Sequence, residues 1–297
     1  MAHPAQEVSM QVSIIIVNYN TCRLLADCLA SVYRQITGVT FEVIVVDNGS
    51  TDGSEAYITR HFPEVVWVNA GGNLGFGRAN NLGVGRATGE YLFLLNSDTI
   101  LCNDAVSLFY DYAVSHLHER IGALGSWLLD AEGKPNASCG CFPTPRSEMA
   151  YLFGKMVRNN RLDVTADLDV DYVTGADMFV ARDLFMRLGG FDPAIFMYYE
   201  ETDLQRRMAD EGYVRRVITG PRIIHLDGGS FGRKGLTVGR FVMAQRSYNY
   251  YLRKHYRGLR YALYKSVLCL VRLTVFVTTD WTFKERLRAY RIVLSNG

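Results

Sequence analysis

A chain of 297 residues can bury a sizeable core as one large domain or two small ones, and its 48% hydrophobic and 21% charged content is ordinary for a globular protein. The formal charge of +2 hides an asymmetry: from Gly228 onward 14 Lys and Arg stand against two acids, a net of +12, while residues 1–227 carry 18 bases and 28 acids, a net of −10. So basic a tail on an acidic body points to an anionic surface as partner and speaks against nucleic acid, which the body would repel.

Six cysteines (Cys22, Cys28, Cys102, Cys139, Cys141 and Cys269) show neither a CxxC pair nor zinc-like spacing, the pattern of free thiols in a reducing cytosol. Met1 to Met10 hold no apolar run, so no secretory signal peptide is expected.

Val12 to Val17 is an unbroken apolar run of strand length that ends at Asn18-Tyr19-Asn20, and Leu24, Leu25, Cys28, Leu29 and Val32 follow at helical spacing. A second buried-type strand, Phe41 to Val46, ends at Asp47-Asn48-Gly49-Ser50. A helix to Arg60 and a short strand over Val65–Val68 come next. Another helix, from about Gly75 to Ala87, leads into Tyr91–Leu95, which stops at Asn96-Ser97-Asp98. The pattern then predicts a helix from Asp104 to about His118, a strand over Gly122–Trp127, and loop or hairpin from Asp130 to Pro145. Order returns at Asp171–Val180, with helices from about Arg182 and over Thr202–Gly212. Strands alternating with helices predict an α/β fold, a mostly parallel central sheet flanked by helices, and near-continuous apolar strands agree because both faces are covered.

Each early strand thus delivers polar residues to its carboxyl end, the edge where open α/β sheets bind ligands. Asp98 there can hold a divalent metal against a diphosphate, or merely cap the next helix. Asp47 can accept a hydrogen bond from a pyrimidine N3–H and Tyr19 can stack on the base; turn residues that start helices explain any one cluster, but three in succession poorly. The absence of GxGxxG after the first strand and of GxxxxGK[ST] excludes the usual nicotinamide and P-loop enzymes. Further on, Glu200, Glu201 and Asp203 follow Phe196-Met197-Tyr198-Tyr199. Acids at a helix start suit the macrodipole, while aromatics beside paired carboxylates desolvate them and can hold one as a general base. His225 is either a structural histidine or a metal ligand.

Together these segments resemble the family 2 glycosyltransferases with the GT-A fold, most closely the rhamnosyltransferase-like branch that builds bacterial surface polysaccharides. The resemblance rests on VSIIIVNYN (12–20), VIVVDNGSTDGS (43–54), NLGFGRANNLGV (73–84), GEYLFLLNSD (89–98), GGFDPAIFMYYEETDLQRR (189–207) and HLDGGS (225–230), in order. It implies inverting transfer of a sugar from a nucleotide diphosphate to an acceptor hydroxyl. By position, Asp98 matches the last acid of the family's DxD motif and His225 its later metal-ligating histidine, with Mg²⁺ or Mn²⁺ as the ion. Asp47 matches the base-binding aspartate with Tyr19 beside it. Asn18, Asn20, Asn48, Asn73, Phe76, Asn80, Asn96 and Ser97 join the donor side. Glu201 matches the second acid of the Glu-Asp pair, the catalytic base, with Glu200 and Asp203 beside it. Gly175-Ala176-Asp177 is expected to line the sugar and acceptor side, with Asp177 on donor hydroxyls, since small residues permit close approach. Two departures stand out: the DxD reads Asn96-Ser97-Asp98, and the acid pair is Glu200-Glu201.

The implied organisation is an N-terminal tail (1–11), a GT-A catalytic domain (12–239) with a nucleotide-binding half (12–127) and an acceptor half (128–239), and a basic amphipathic helical region (240–297). In that region Arg253, Lys254, Arg257, Arg260, Lys265 and Arg272 interrupt apolar and aromatic residues, so every charge-free run falls short of the about 20 residues that span a bilayer. Helices lying on the anionic inner face of the cytoplasmic membrane are expected; the other reading is a helical appendage packed on the catalytic domain or forming a homodimer. Donors in play are dTDP-L-rhamnose or a UDP-sugar, and the acceptor a glycan or polyprenyl-diphosphate-linked saccharide. Competing classes are a non-catalytic nucleotide-sugar or lipid-binding scaffold and a sugar-phosphate nucleotidyltransferase. The latter needs a glycine-rich basic segment that Val12–Asn20 lacks.

Overall fold

The first apolar run becomes β1 (Val12–Asn18), buried along both faces apart from Val17. The computed structural model describes residues 10–152, 165–226 and 237–295; most of the N-terminal tail (1–9) and Asp227–Ser230 of the HLDGGS segment lie outside the described residues. After β1 come α1 (Cys22–Gln35), β2 (Phe41–Asp47), α2 (Ser54–His61), β3 (Val66–Asn69), α3 (Phe76–Val84) and β4 (Tyr91–Asn96). The chain continues through β5 (Thr99–Leu101), α4 (Ala105–Ser115), β6 (Ile121–Ser126), β7 (Cys139–Gly140) and α5 (Pro145–Leu152). Then follow β8 (Leu168–Val170), β9 (Tyr172–Val173), β10 (Asp177–Ala181), α6 (Arg182–Arg187), α7 (Glu200–Asp210), β11 (Val214–Ile218) and β12 (Ile223–His225). Four helices close the chain: α8 (Val238–His255), α9 (Gly258–Arg272), α10 (Val275–Thr278) and α11 (Phe283–Leu294).

The central sheet runs β3-β2-β1-β4-β10-β6-β11-β8. Its β3-β2-β1-β4 half is wholly parallel, as the alternation predicts. Beyond it the sheet is mixed: β10 runs antiparallel to both β4 and β6, and β8 antiparallel to β11. One face packs Ile14, Ile16, Val45, Phe93 and Phe179 against Leu25, Leu29 and Phe109 of α1 and α4. The other packs Ile15, Ile44, Leu94 and Met178 against Ala79 of α3 and Leu204 of α7. Each such fully buried Val, Leu, Ile, Phe or Met side chain stabilises by about 1.5–3 kcal/mol.

A third cluster joins Tyr248, Tyr251, Leu252, Leu268, Ala289 and Val293, and Tyr199 of the catalytic half packs into it. This revises the membrane reading of the tail as a whole. Helix α8 is not laid on a lipid surface along its length: Phe241, Tyr248, Tyr251 and Leu252 are buried in protein. Of its cations, Lys254 misleads at the level of composition, because it turns inward to acids of the catalytic half.

Candidate active site

The register of the parallel half places Asn18 beside Asp47, Val17 beside Asn96, and Asp47 beside Asn69. The three polar strand ends are joined by hydrogen bonds. Asn18 Nδ2 donates to Asp47 Oδ1 at 3.1 Å, and Thr21 Oγ1 donates to Asn18 Oδ1 at 2.7 Å and lies 2.9 Å from Ser97 Oγ. Ser50 N donates to both Asp47 oxygens at 3.2–3.3 Å, and Ser50 Oγ accepts from Asn18 Nδ2 and Asn20 N. Asn20, in the left-handed region at φ 55°, accepts from Thr51 N. These contacts hold the rim of an open cleft of about 790 Å³ lined by Asp47, Ser50, Thr51, Asn69, Gly71 and Gly72 among others. Tyr19 is half-buried and adjoins that rim.

Asp98 and His225 meet because β5 pairs with β12 antiparallel, His225 opposite Thr99, and Leu226 N donates to Asp98 O at 3.0 Å. His225 Nε2 lies 3.3 Å from Asp98 Oδ1 and 3.3 Å from Asn96 Nδ2. Nε2 and the Asp98 carboxylate face the same space, and the Nε2 lone pair is open to a metal when the Asn96 amide does not donate to it. Two ligands each about 2.1 Å from an octahedral ion stand about 3.0 Å apart, so the pair fits adjacent positions on Mg²⁺ or Mn²⁺. Among the described residues no third His, Cys, Asp or Glu joins them. An ion held there would need further ligands from outside this pair, and Asn96, in place of an acid, lies against the histidine.

Glu200 and Glu201 open α7, directly after Tyr198 and Tyr199, two consecutive non-glycine residues in the left-handed region at φ 68° and 70°. Such strain persists only where the surroundings fix it. Here Ser247 Oγ of α8 donates to Met197 O at 2.7 Å, and the Tyr199 ring packs on Tyr248 and Tyr251, centroids 4.9 and 6.0 Å away. From the other side Phe76 N donates to Phe196 O at 3.1 Å; a Cβ on Gly75 would fall 2.0 Å from that oxygen, so the approach requires glycine. A Cβ on Gly175 would lie 3.3 Å from the Phe76 ring and 3.8 Å from Glu201 Cβ, and Asn96 N donates to Ala176 O at 2.9 Å. Asn96, Ala176 and Gly175 thus form a short chain of contacts from the Asp98–His225 pair to Glu201. Burial pushes the Glu200 carboxyl well up, and the neighbouring Glu201 charge pushes it further; Glu201 is raised by burial as well. Glu200 Oε2 is buried without a hydrogen-bond partner among the described residues, as suits a protonated acid.

Other expected site residues sit elsewhere. Asp203 does not face this space. It is fully buried and takes Arg207 Nη2 at 2.9 Å, Lys254 Nζ at 2.8 Å and His255 Nε2 at 2.7 Å. Burial opposes its charge, but His255, Arg207 and Lys254 outweigh that and pull it to about 2. Asp177 is likewise enclosed rather than on donor hydroxyls: Oδ2 accepts Ser126 N and Oγ at 2.7 and 2.6 Å, Oδ1 has no partner among the described residues, and burial raises the group to about 7 against those bonds. Asn80 is buried inside α3, donating to Phe76 O, and Asn73 shapes the turn by accepting from Asn48 Nδ2 and Gly75 N. Asn48 also accepts from Leu74 N, tying β2 to the same turn. Sequence reasoning missed Thr21, Ser247, Lys254 and His255; only the spacing of Asn18 and Thr21 across a helix start offered a signal.

Residues 13–120 match the model of the family described as Glycosyl transferase family 2. The N-acetylglucosaminyl-diphospho-decaprenol L-rhamnosyltransferase of Mycobacterium tuberculosis is 28% identical over 212 residues, 64% of this chain and 68% of that protein. The rhamnosyltransferase WbbL of Escherichia coli K12 is 26% identical over 195 residues, 62% of this chain and 72% of its own length. Among solved structures, a mannosyltransferase from Pyrobaculum calidifontis in complex with GDP-Man and Mn²⁺ superposes with a TM-score of 0.57 at 20% identity, covering 94% of this chain and 73% of that one. The chain is a glycosyltransferase with the GT-A fold. Its residues 13–120 match family 2, and over about two thirds of its length it is similar to rhamnosyltransferases.

Proposed function

We propose that this enzyme moves L-rhamnose from dTDP-L-rhamnose, with inversion, onto a hydroxyl of a polyprenyl-diphosphate-linked saccharide in bacterial surface-polysaccharide synthesis, at the cytoplasmic face of the membrane. The observation that carries it is the half-buried Glu201, held by a strained turn against Gly175 and Phe76 and joined through Ala176 and Asn96 to the Asp98–His225 pair. The rhamnosyltransferase relatives favour the sugar, and the Asp47 cleft suits a pyrimidine nucleoside. Glu201 takes the acceptor proton while that oxygen forms its bond to the anomeric carbon opposite the diphosphate. The C–O bond to the diphosphate breaks, and its electron pair leaves with the phosphate oxygen. Glu200, more deeply buried and facing Glu201, keeps its proton, so Glu201 is the base. Mg²⁺ or Mn²⁺, held by Asp98 and His225, would stabilise negative charge on the leaving diphosphate.

A donor panel with a lipid-diphosphate acceptor, with and without Mg²⁺ or Mn²⁺, tests this, with Glu201→Gln in parallel. Transfer from dTDP-L-rhamnose that needs a divalent ion is expected. Full transfer by Glu201→Gln removes the base assignment, preference for a UDP-hexose removes the donor, and nucleotide binding without transfer makes the protein a scaffold.

A further inference from the structure

Helix α9 runs on through Leu273 and Thr274, both in helical conformation, into α10. Its inner side is packed: Leu268, Val271 and Val275 are buried, and Lys265 turns inward to donate to Asn249 Oδ1 and Ser295 O at 3.0 and 2.6 Å. Its outer side carries Leu259, Leu263, Leu270, Leu273 and Val277, exposed by 91, 57, 66, 46 and 81%, at spacings that keep them on one face. Between Tyr261 and Val277 the only other exposed residues are Ala262 and Ser266, so from Tyr261 on the stripe is free of exposed charge. A contiguous apolar stripe on a soluble surface marks an interaction site.

We propose that the α9–α10 stripe is the surface by which this enzyme lies on an anionic lipid bilayer, the helix in the plane of the interface. This deepens the membrane placement proposed above by naming the face. Charge decides the occupant. Exposed Arg253 and Arg257 precede the stripe, exposed Arg260 flanks its first residue, and exposed Lys284, Arg288 and Arg291 of α11 follow it, against exposed Asp280 and Glu285. A second copy docking through the stripe would bring these cations together; a layer of anionic headgroups takes both the cations and the apolar face. By length and composition the 21 residues Gly258–Thr278 could cross a bilayer. The packed inner side, with its inward lysine, leaves only one face for lipid and sets the helix flat.

The test is flotation of the full-length protein with phosphatidylcholine vesicles, with and without phosphatidylglycerol, in the absence of donor. Binding should require the anionic lipid and weaken with salt. Leu263→Glu/Leu270→Glu should abolish it, and Arg257→Gln/Arg260→Gln should weaken it by about 5-fold per arginine. All four side chains are exposed or flank the helix start, and unchanged transfer to a water-soluble acceptor saccharide confirms that each variant is folded and active. Unchanged flotation of the leucine variant overturns the proposal, as does equal binding without anionic lipid. A dimer that the leucine variant splits, with no vesicle binding by either, assigns the stripe to a second copy. Resistance of the bound protein to alkaline carbonate makes the helix a span. Transfer that persists while flotation fails leaves the proposed reaction intact and removes only this face.

Discussion

Replacing Asp203 by Asn separates a structural acid from a catalytic one. The carboxylate lies two residues past Glu201 yet is fully buried against Arg207, Lys254 and His255. Those partners pull it from an ordinary 3.8 to about 2 despite burial. At about 1.4 kcal/mol per pH unit, that displacement corresponds to about 2.5 kcal/mol of folding stability. Breaking a buried ion pair costs about 3–5 kcal/mol in general. Here Lys254 keeps Asp192 at 2.5 Å, which holds the cost to the lower end. We expect Asp203→Asn to lower the melting temperature by about 5–10 °C. Denaturant unfolding over a pH series measures the rest. A lowered carboxyl stabilises above its unfolded value and loses that contribution as pH falls, so the gap between wild type and variant should close between pH 3.8 and about 2. Below the transition, transfer by the folded variant should stay within a few-fold of wild type. Wild-type stability combined with a loss of about 10²–10⁴-fold in transfer would refute the reasoning and return Asp203 to the chemistry.

Glu201→Gln should lower kcat by about 10²–10⁴-fold with little change in donor KM. The base must be ionised, and burial raises Glu201, so wild-type kcat should rise with pH through a limb above the ordinary 4.5; the same limb surviving in the variant would exclude Glu201 as its source. Ser247→Ala strips the donor from Met197 O and should destabilise by about 1 kcal/mol, lowering kcat while donor KM holds, as steady-state kinetics would show. Gly75→Ala sets a methyl 2.0 Å from Phe196 O at φ +84°, and should cost both stability and transfer; a variant of wild-type melting temperature would contradict the packing of α3 on the Tyr198–Tyr199 turn.

The parallel half of the sheet was legible because β1, β2 and β4 are unbroken apolar runs, each ending in polar residues. Strand periodicity alone placed Asn18, Asp47 and Asp98 on one edge. The reversal at β10 was not legible, since an apolar strand reads alike in either direction. Asp203 and Asp177 misled for a shared reason: a carboxylate near a motif looks functional until its partners are known. Lys254 and His255 stand 51 and 52 residues downstream of Asp203, with no local pattern to announce the pairing. Composition gave the tail its positive charge but not its orientation. Lys254 and Lys265 point into protein, while Arg257 and Arg260 point out.

The fastening of α8 to the turn before Glu200 limits how this enzyme can be recombined. Ser247 holds the Met197 carbonyl, and Lys254 joins Asp192 to Asp203 across the mouth of that loop. A C-terminal region grafted from a relative must therefore bring a hydroxyl, a cation and an aromatic bed that match this particular loop. Mismatched chimeras should retain the Asp47 cleft and lose the acid pair's aim, so on the proposed reaction hybrid enzymes would bind donor and fail to transfer it. Donor choice and acceptor chemistry can be exchanged between relatives only in blocks that carry the loop and α8 together.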